Sequence, residues 1–362
     1  MNSDREGARR AFLHEAGLGD AAREPLAGDA STRRYERLHP ASGPSLIFMD
    51  QPPAVETQPC PPQANRCERK ALGYNALARL AAGRVEAFIA CATYLRGLGL
   101  SAPSIEAANA DEGFAVLEDL GDDLYARLME KGEDEATLYD AAADALAVLH
   151  MTPPPAAIET NGAAWPLLAY DDLALETAGD LFLEWMPRLK PDLNFNDEGR
   201  AQWEAIWAPI RLRAEAGASV FCHRDYHAEN LIWLPSRTGA ARVGLLDFQD
   251  AVRAHPAWDL SMLLHDARRD VSRACEAAVL QRYFEIRPGV DRDAFMSDFH
   301  ALGALNTLRI LGLFARLVAR DDKPRYGAFM PRLWGYLDRC LVGPAPPGLA
   351  QWLARHAPTE AR

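Results

Sequence analysis

Residues 3–17 carry apolar and polar side chains in the alternation of a short amphipathic helix. Gly28 to Leu38 reads as a tight turn running into a strand, and Ser45 to Asp50 as its partner, with Gly43-Pro44 near the turn between them. Five prolines within residues 51–62 predict an irregular loop. Helical spacing follows over 66–81 and 84–97, then a strand pair at 104–109 and 114–118 joined by Asp111-Glu112-Gly113. After Gly121 the pattern turns helical, over 134–150, 171–186 and 197–214; the triple proline at 153–155 closes the first of these. Three short apolar strands interrupt it: Ser219–Phe221, Leu231–Leu234 and Arg242–Leu246. Helices resume at 258–265, 272–284, 291–320 and 326–341. The expected fold is therefore α+β. A small N-terminal lobe over 1–118 holds an antiparallel sheet and a proline-rich insertion near 51–82. A larger, mainly helical C-terminal lobe covers 119–362.

Composition narrows the partners. At 362 residues, 49% hydrophobic and 25% charged, the chain can bury a large core without staples. A net charge of -12 disfavours a nucleic-acid surface, which needs a basic footprint. It leaves a nucleotide site open, because that needs only local positive charge and Mg²⁺. The six cysteines are scattered with no CxxC pair, as expected of reduced thiols. The first ten residues lack a signal-like apolar segment, and no apolar run reaches about 18 residues. The expected location is the cytoplasm, with no membrane span.

The chemistry is concentrated in His223-Arg224-Asp225-Tyr226-His227-Ala228-Glu229-Asn230 and in Leu245-Leu246-Asp247-Phe248-Gln249. One strand delivers the chain to a polar loop, a second leads away, and a third ends in an acid. Phosphoryl transfer needs a carboxylate to orient and deprotonate the attacking hydroxyl and an oxygen pair to hold Mg²⁺. Asp225 suits the first role, and Asn230 with Asp247 the second. The five-residue step from Asp225 to Asn230 matches the kinase catalytic loop HRDxxxxN, and Asp247-Phe248 its metal-binding DF, with Gln249 in place of glycine. The competing readings are a polar surface turn, or a zinc pair from His223 and His227. The strand flanks and the missing H-E-x-x-H argue against zinc. His223 is expected to brace the loop through hydrogen bonds. Gly97 to Ala102 imitates a dinucleotide fingerprint but follows a helix, and no G-x-x-x-x-G-K-[ST] occurs.

These motifs resemble the aminoglycoside phosphotransferase superfamily, whose loop reads HxDxxxxN. Gly28 to Tyr35, Leu46 to Pro53, Leu117 to Asp122, Asp266 to Val271 and Leu311 to Leu317 are similar to landmarks of its bacterial sugar-kinase branch. That branch comprises the anomeric N-acetylmuramate/N-acetylglucosamine kinases of cell-wall recycling. The resemblance implies a protein-kinase-like two-lobed fold, ATP as co-substrate, Mg²⁺, and an amino sugar as acceptor. Kinases of an aminoglycoside, choline or homoserine remain alternatives, as does a non-catalytic nucleotide-binding relative.

On this pattern Ala30 and Ser31 let backbone N–H groups approach phosphates, Arg33 nears the phosphates and Tyr35 covers the adenine. Glu118 and Leu120 stand where backbone groups would meet the adenine edge. Asp50 stands where a protein kinase carries its phosphate-pairing lysine, and Glu86 is the tentative helix glutamate. Asp259 braces the catalytic loop or merely caps a helix. On the acceptor side, Arg268 and Arg269 can meet a carboxylate or simply face solvent. Trp258 can stack on a sugar or fill the core.

Overall fold

A computed structural model describes residues 2–26, 33–52, 58–160, 163–342 and 346–362. Five antiparallel strands form the first sheet, in the order β1-β2-β3-β5-β4: β1 (Ala22–Pro25), β2 (Arg34–His39), β3 (Leu46–Asp50), β4 (Ile105–Asn109) and β5 (Phe114–Glu118). The period of two sorts their side chains. Leu38, Phe48, Phe114 and Val116 meet Phe12 and Leu13 of helix α1 (Asn2–Glu15). Met49, Ala115 and Leu117 face the other way, into the main core. The β4–β5 turn requires glycine: Gly113 has φ +75°, and a Cβ there would lie 1.9 Å from the Gln51 carbonyl oxygen.

The same alternation corrects the reading of Asp50. It shares a strand face with Phe48, so it points at α1. There it takes hydrogen bonds from Arg5 at 2.6 and 3.1 Å and lies 3.4 Å from Arg9. It does not stand in the cleft where a phosphate-pairing lysine would.

Between β3 and β4 the chain forms α2 (Arg66–Leu72), α3 (Tyr74–Leu77) and α4 (Val85–Gly97). The helical part follows as α5 (Tyr125–Glu130), α6 (Glu135–Met151), a hairpin of β6 (Ala157–Thr160) and β7 (Ala163–Pro166), α7 (Asp172–Leu189) and α8 (Asp197–Ala216). Four three-residue strands come next: β8 (Val220–Cys222), β9 (Leu231–Trp233), β10 (Val243–Leu245) and β11 (Val252–Ala254). The chain ends in α9 (Ala257–Leu264), α10 (Arg273–Ile286), α11 (Arg292–Ala319), α12 (Met330–Val342) and α13 (Leu349–His356). Polar residues start these helices where the sequence places them: Asp134, Asp171, Asn196, Ser272 and Asp291 each accept backbone N–H bonds from the first turn. The architecture is the expected protein-kinase-like one, an antiparallel sheet lobe followed by a helical lobe.

By length and composition α11 could cross a membrane, but most of it is buried against the protein, packed on α7, α9 and α12. Gly312 permits its crossing with α7, since a Cβ there would lie 2.3 Å from the Leu181 carbonyl carbon.

Residues 58–84 are tied to the helical part. Arg69 forks onto Asp171 at 2.5 and 3.1 Å, Arg79 joins it at 3.0 Å, Arg66 reaches Asp172 at 3.1 Å, and the Ala81 N–H donates to Asp250 at 2.6 Å. A segment that precedes α4 in sequence thus straps the sheet lobe to α7.

Three of the buried histidines are no more than 2% exposed: His150, His223 and His265. Burial favours the neutral ring and lowers the pKa of each, that of His265 to about 3. The unfolded chain binds protons at these rings below about pH 6.5, and the folded chain refuses them. Stability is therefore full above 6.5 and falls as pH drops through it. For His265, whose folded value lies far below that of the free ring, this amounts to about 1.4 kcal/mol per pH unit below 6.5; His150 and His223 act in the same direction. We expect the urea midpoint to fall clearly from pH 7.5 to 5.5; equal midpoints would contradict the assignment.

Candidate active site

Two small antiparallel ladders bring the polar loop and the strand-terminal acid together. β9 pairs with β10, Leu231 opposite Leu245, and the Leu246 N–H donates to Asn230 O at 3.0 Å. Asn230 and Asp247 therefore leave the same end of that ladder. β8 pairs with β11, Cys222 opposite Val252, so His223 to Asp225 and Gln249 to Ala251 leave one end of the second. Loops 223–230 and 246–251 thus face each other, with Asp225, Asn230 and Asp247 on them.

The loop is braced from α9. The buried Asp259 carboxylate accepts the His223 N–H at 2.7 Å and the Arg224 N–H at 2.8 Å, and His150 Nε2 lies 3.5 Å away. Burial alone would raise the Asp259 pKa. The neighbouring His150, the His223 ring and the backbone N–H override it and hold the carboxylate below its usual range. Arg224 sits in the left-handed region at φ 74°. Its guanidinium lies 4.8 Å over the Tyr170 ring and donates to the Asp250 carbonyl at 3.2 Å. Left-handed non-glycine residues hold only where surroundings over-determine them, as here. Tyr226 anchors the other side, donating to Ala142 O at 2.8 Å. His223 braces by packing instead of by ring hydrogen bonds. Its ring is edge-on to Tyr226 and Phe248, and neither ring nitrogen has a partner among the described residues. Phe248 also packs on Phe88 of α4 at 4.8 Å, joining the metal-acid loop to the sheet lobe.

Asp247, also left-handed at φ 61°, accepts Arg33 Nη2 at 2.7 Å and Gln249 Nε2 at 3.0 Å. Burial pushes its pKa up, but the Arg33 charge and the Gln249 bond hold it low, so it is ionised at neutral pH. Asn230 Nδ2 donates to Asp225 O at 2.9 Å, which turns its amide oxygen away from the loop. Asp247 and Asn230 thus offer one carboxylate and one amide oxygen. That donor set fits Mg²⁺, which takes one or two carboxylates and completes its shell with phosphates and water. Among the described residues no cluster of three or more His, Cys, Asp or Glu side chains stands ready to hold a metal by protein ligands alone.

Arg33 already sits at that carboxylate as a cation, and Nη1 donates to Gln249 Oε1 at 2.8 Å and Tyr35 Oη at 3.3 Å. Tyr35, opposite Met49, lies on the cleft face of the sheet. With Asp50 turned away, Arg33 is placed to take over the lysine's charge. Arg33→Met should therefore raise the KM for Mg·ATP about 10-fold or more, the worth of a charge-assisted hydrogen bond. An unchanged KM at saturating acceptor would rule this out.

Beside the β9–β10 ladder Leu120 packs with Ile232 and Leu234 in a small apolar cluster. The Glu118 carboxylate is held by Arg237 at 2.5 Å and Arg96 at 3.4 Å, and its N–H donates to Ser104 O, so the Glu118 side chain stabilises the junction. Ala30 and Ser31 lie outside the described residues. Glu86 pairs with its neighbour Arg84 and makes no bond to β3 among the described residues.

The acceptor-side expectations change. Trp258 is 1% exposed and edge-on to Tyr170 at 4.9 Å; it fills the core and offers no face to a sugar. Arg269 is held by Glu135 at 3.0 Å and Tyr139 at 2.9 Å. Arg268 and Arg269 share a hollow with Glu130, Glu229 and Asp266. Three acids beside two arginines repel a carboxylate ligand, so this is no carboxylate site. Sequence reasoning missed Asp250, which accepts from Ala81 N–H and whose carbonyl holds Arg224. Burial pushes its pKa above the usual carboxylate value, with Asp247 and Asp225 adding to the effect. The acid three residues after Asp247 was the available signal.

The family model described as "Phosphotransferase enzyme family" matches residues 22–296. An N-acetylmuramate/N-acetylglucosamine kinase from Caulobacter vibrioides is 64% identical over 362 residues, covering 100% of this chain and 99% of the relative. One of the same name from Pseudomonas aeruginosa is 30% identical, covering 88% of this chain and 83% of the relative. Among solved structures, a choline/ethanolamine kinase family protein from Mesorhizobium loti superposes with TM-score 0.54 at 17% identity, covering 97% of this chain and 98% of that one, a likeness of fold alone. A cleft with an acid-and-amide pair at a strand end, a braced HRDxxxxN loop and a match over most of its length place the chain in the aminoglycoside-type phosphotransferase enzyme family.

Proposed function

We propose that the protein transfers the γ-phosphoryl group of ATP to the anomeric hydroxyl of N-acetylmuramate or N-acetylglucosamine, in the cytoplasm, to return cell-wall sugars to use. The observation that carries this reading is the 64% identity, end to end, with the Caulobacter vibrioides kinase of that name. Asp225 accepts the hydroxyl proton as the sugar oxygen bonds to the γ-phosphorus, and the bond to the β–γ bridging oxygen breaks to leave ADP. An anomeric hydroxyl is more acidic than the other sugar hydroxyls, so a carboxylate can serve as its base. Asn230 and Asp247 would hold Mg²⁺, which when bound neutralises charge between the phosphates. Arg33 leaves Asp247 for the phosphate oxygens, and Leu120 and Tyr35 bracket the adenine beside the backbone of Glu118 to Leu120. His223 and Asp259 keep Asp225 in place.

The test is a panel measuring ADP release with the two amino sugars, an aminoglycoside, choline and homoserine. Turnover with the sugars and background rates with the rest support the proposal. The reverse pattern assigns a different acceptor, and no turnover with any acceptor favours a non-catalytic nucleotide-binding protein.

A further inference from the structure

A hollow of about 430 Å³ opens beside the metal-acid loop. Its walls are the strap (Cys60, Arg79, Arg84), the β6–β7 hairpin with half-buried Trp165, and Gln249 and Ala251. Gln249 connects it to the chemistry, since its amide donates to Asp247 at 3.0 Å. No residue of β2, β3, β5 or β9 lines it. The volume and placement suit the compound that receives the phosphoryl group.

The charges lining it are uneven. Arg84 is neutralised by Glu86, which lines the same wall. Arg79 is not neutralised in the same way. Its side chain is 9% exposed, and its guanidinium shares Asp171 with Arg69, which already holds that carboxylate with both terminal nitrogens. Among the described residues its other terminal nitrogen meets only the Cys60 sulfur at 3.1 Å, a weak acceptor. Its Nε–H is buried with no partner among the described residues. A buried donor left open costs stability unless something else takes the bond. Two left-handed non-glycine residues within four positions, Arg79 at φ 57° and Ala82 at φ 53°, hold this arginine in place. Such strain clusters at ligand-binding sites.

We propose that the hollow receives the acceptor sugar and that Arg79 binds a carboxylate on it. Resting on the amino-sugar reading above, Arg79 is then the residue that recognises the lactyl carboxylate of N-acetylmuramate, a group N-acetylglucosamine lacks. The strap is the part of the chain that brings specificity to a general phosphoryl-transfer site. A carboxylate there takes a hydrogen bond from Nη1, the nitrogen now facing the Cys60 sulfur, as a charge-assisted bond in place of a weak one.

The experiment is steady-state kinetics of wild type, Arg79→Gln and Arg79→Lys with both sugars at saturating Mg·ATP. Arg79→Gln should raise the KM for N-acetylmuramate about 10- to 100-fold while leaving kcat/KM for N-acetylglucosamine within about threefold. Arg79→Lys should recover part of the loss. Because Arg79 also ties the strap to Asp171, N-acetylglucosamine turnover reports whether the pocket survives. If Arg79→Gln does not fold, Arg79→Lys carries the same test through a smaller change in the ratio of the two sugars. Equal losses with both sugars, or none with either, overturn the carboxylate role and leave the sugar-kinase reading standing. A wild type inactive toward both sugars removes that reading, and this inference with it.

Discussion

Asp225→Asn should lower kcat by about 10³-fold or more, the upper part of the range for a positioned general base, while the Kd for Mg·ATP stays within a few-fold. Among the described residues the Asp225 side chain makes no hydrogen bond that holds the loop; Asn230 binds its backbone carbonyl. The amide variant therefore keeps the loop and removes only the proton acceptor. On the proposed function, nucleotide binding rests on Asp247, Asn230 and Arg33, which the substitution does not touch. Rapid-quench or coupled ADP assays beside calorimetric nucleotide titration separate the two quantities. Turnover within tenfold of wild type would remove Asp225 from the chemistry.

Asp259→Ala should be the most damaging single change outside the cleft. It strips two buried backbone N–H groups, on His223 and Arg224, of their acceptor, and leaves His150 without its carboxylate neighbour. Breaking such a buried charged network costs about 3–5 kcal/mol. Activity should fall with it, since the left-handed Arg224 next to Asp225 loses an anchor. Urea unfolding monitored by the buried tryptophans gives the stability loss directly. A loss under about 1 kcal/mol would mean the brace is dispensable. The pH dependence adds a signature. The Asp259 carboxylate is depressed in the fold, so its contribution is present above the unfolded value near 4 and is lost as pH falls toward the folded value. Asp259→Asn should accordingly flatten the most acidic limb of the stability curve, leaving the histidine-driven fall below pH 6.5.

That loops 223–230 and 246–251 come together was legible because their signal is local. Five residues separate Asp225 from Asn230, and short apolar runs on both sides identify strands whose ends must lie together. The faces of β2 followed from a period of two, which put Arg33 and Tyr35 on one side. The same rule would have turned Asp50 away from the cleft had its strand been read against Phe48. What escaped was short or distant. The three- and four-residue strands β1, β6, β7 and β11 and the one-turn-scale helix α5 carry too few residues for a period to show. Helix α13 was passed over at the chain's end. The continuous helix read at 66–81 splits at Gly73, which sits at φ 92°. The strap's purpose was invisible because Arg69 and Asp171 stand 102 positions apart. Nothing in either neighbourhood announces the pair. Arg268 and Arg269 misled for a related reason: two adjacent arginines suggest a free carboxylate receptor until Glu130, Glu135 and Glu229, brought in from elsewhere, are seen around them.

The most direct measurement is phosphorus NMR of the product formed from ATP and N-acetylglucosamine with Mg²⁺ present. A sugar phosphate signal split by the anomeric proton, growing as ADP appears and absent with Asp225→Asn, is the result expected here. Phosphate on any other sugar oxygen, or undiminished product from the Asp225 variant, would contradict it.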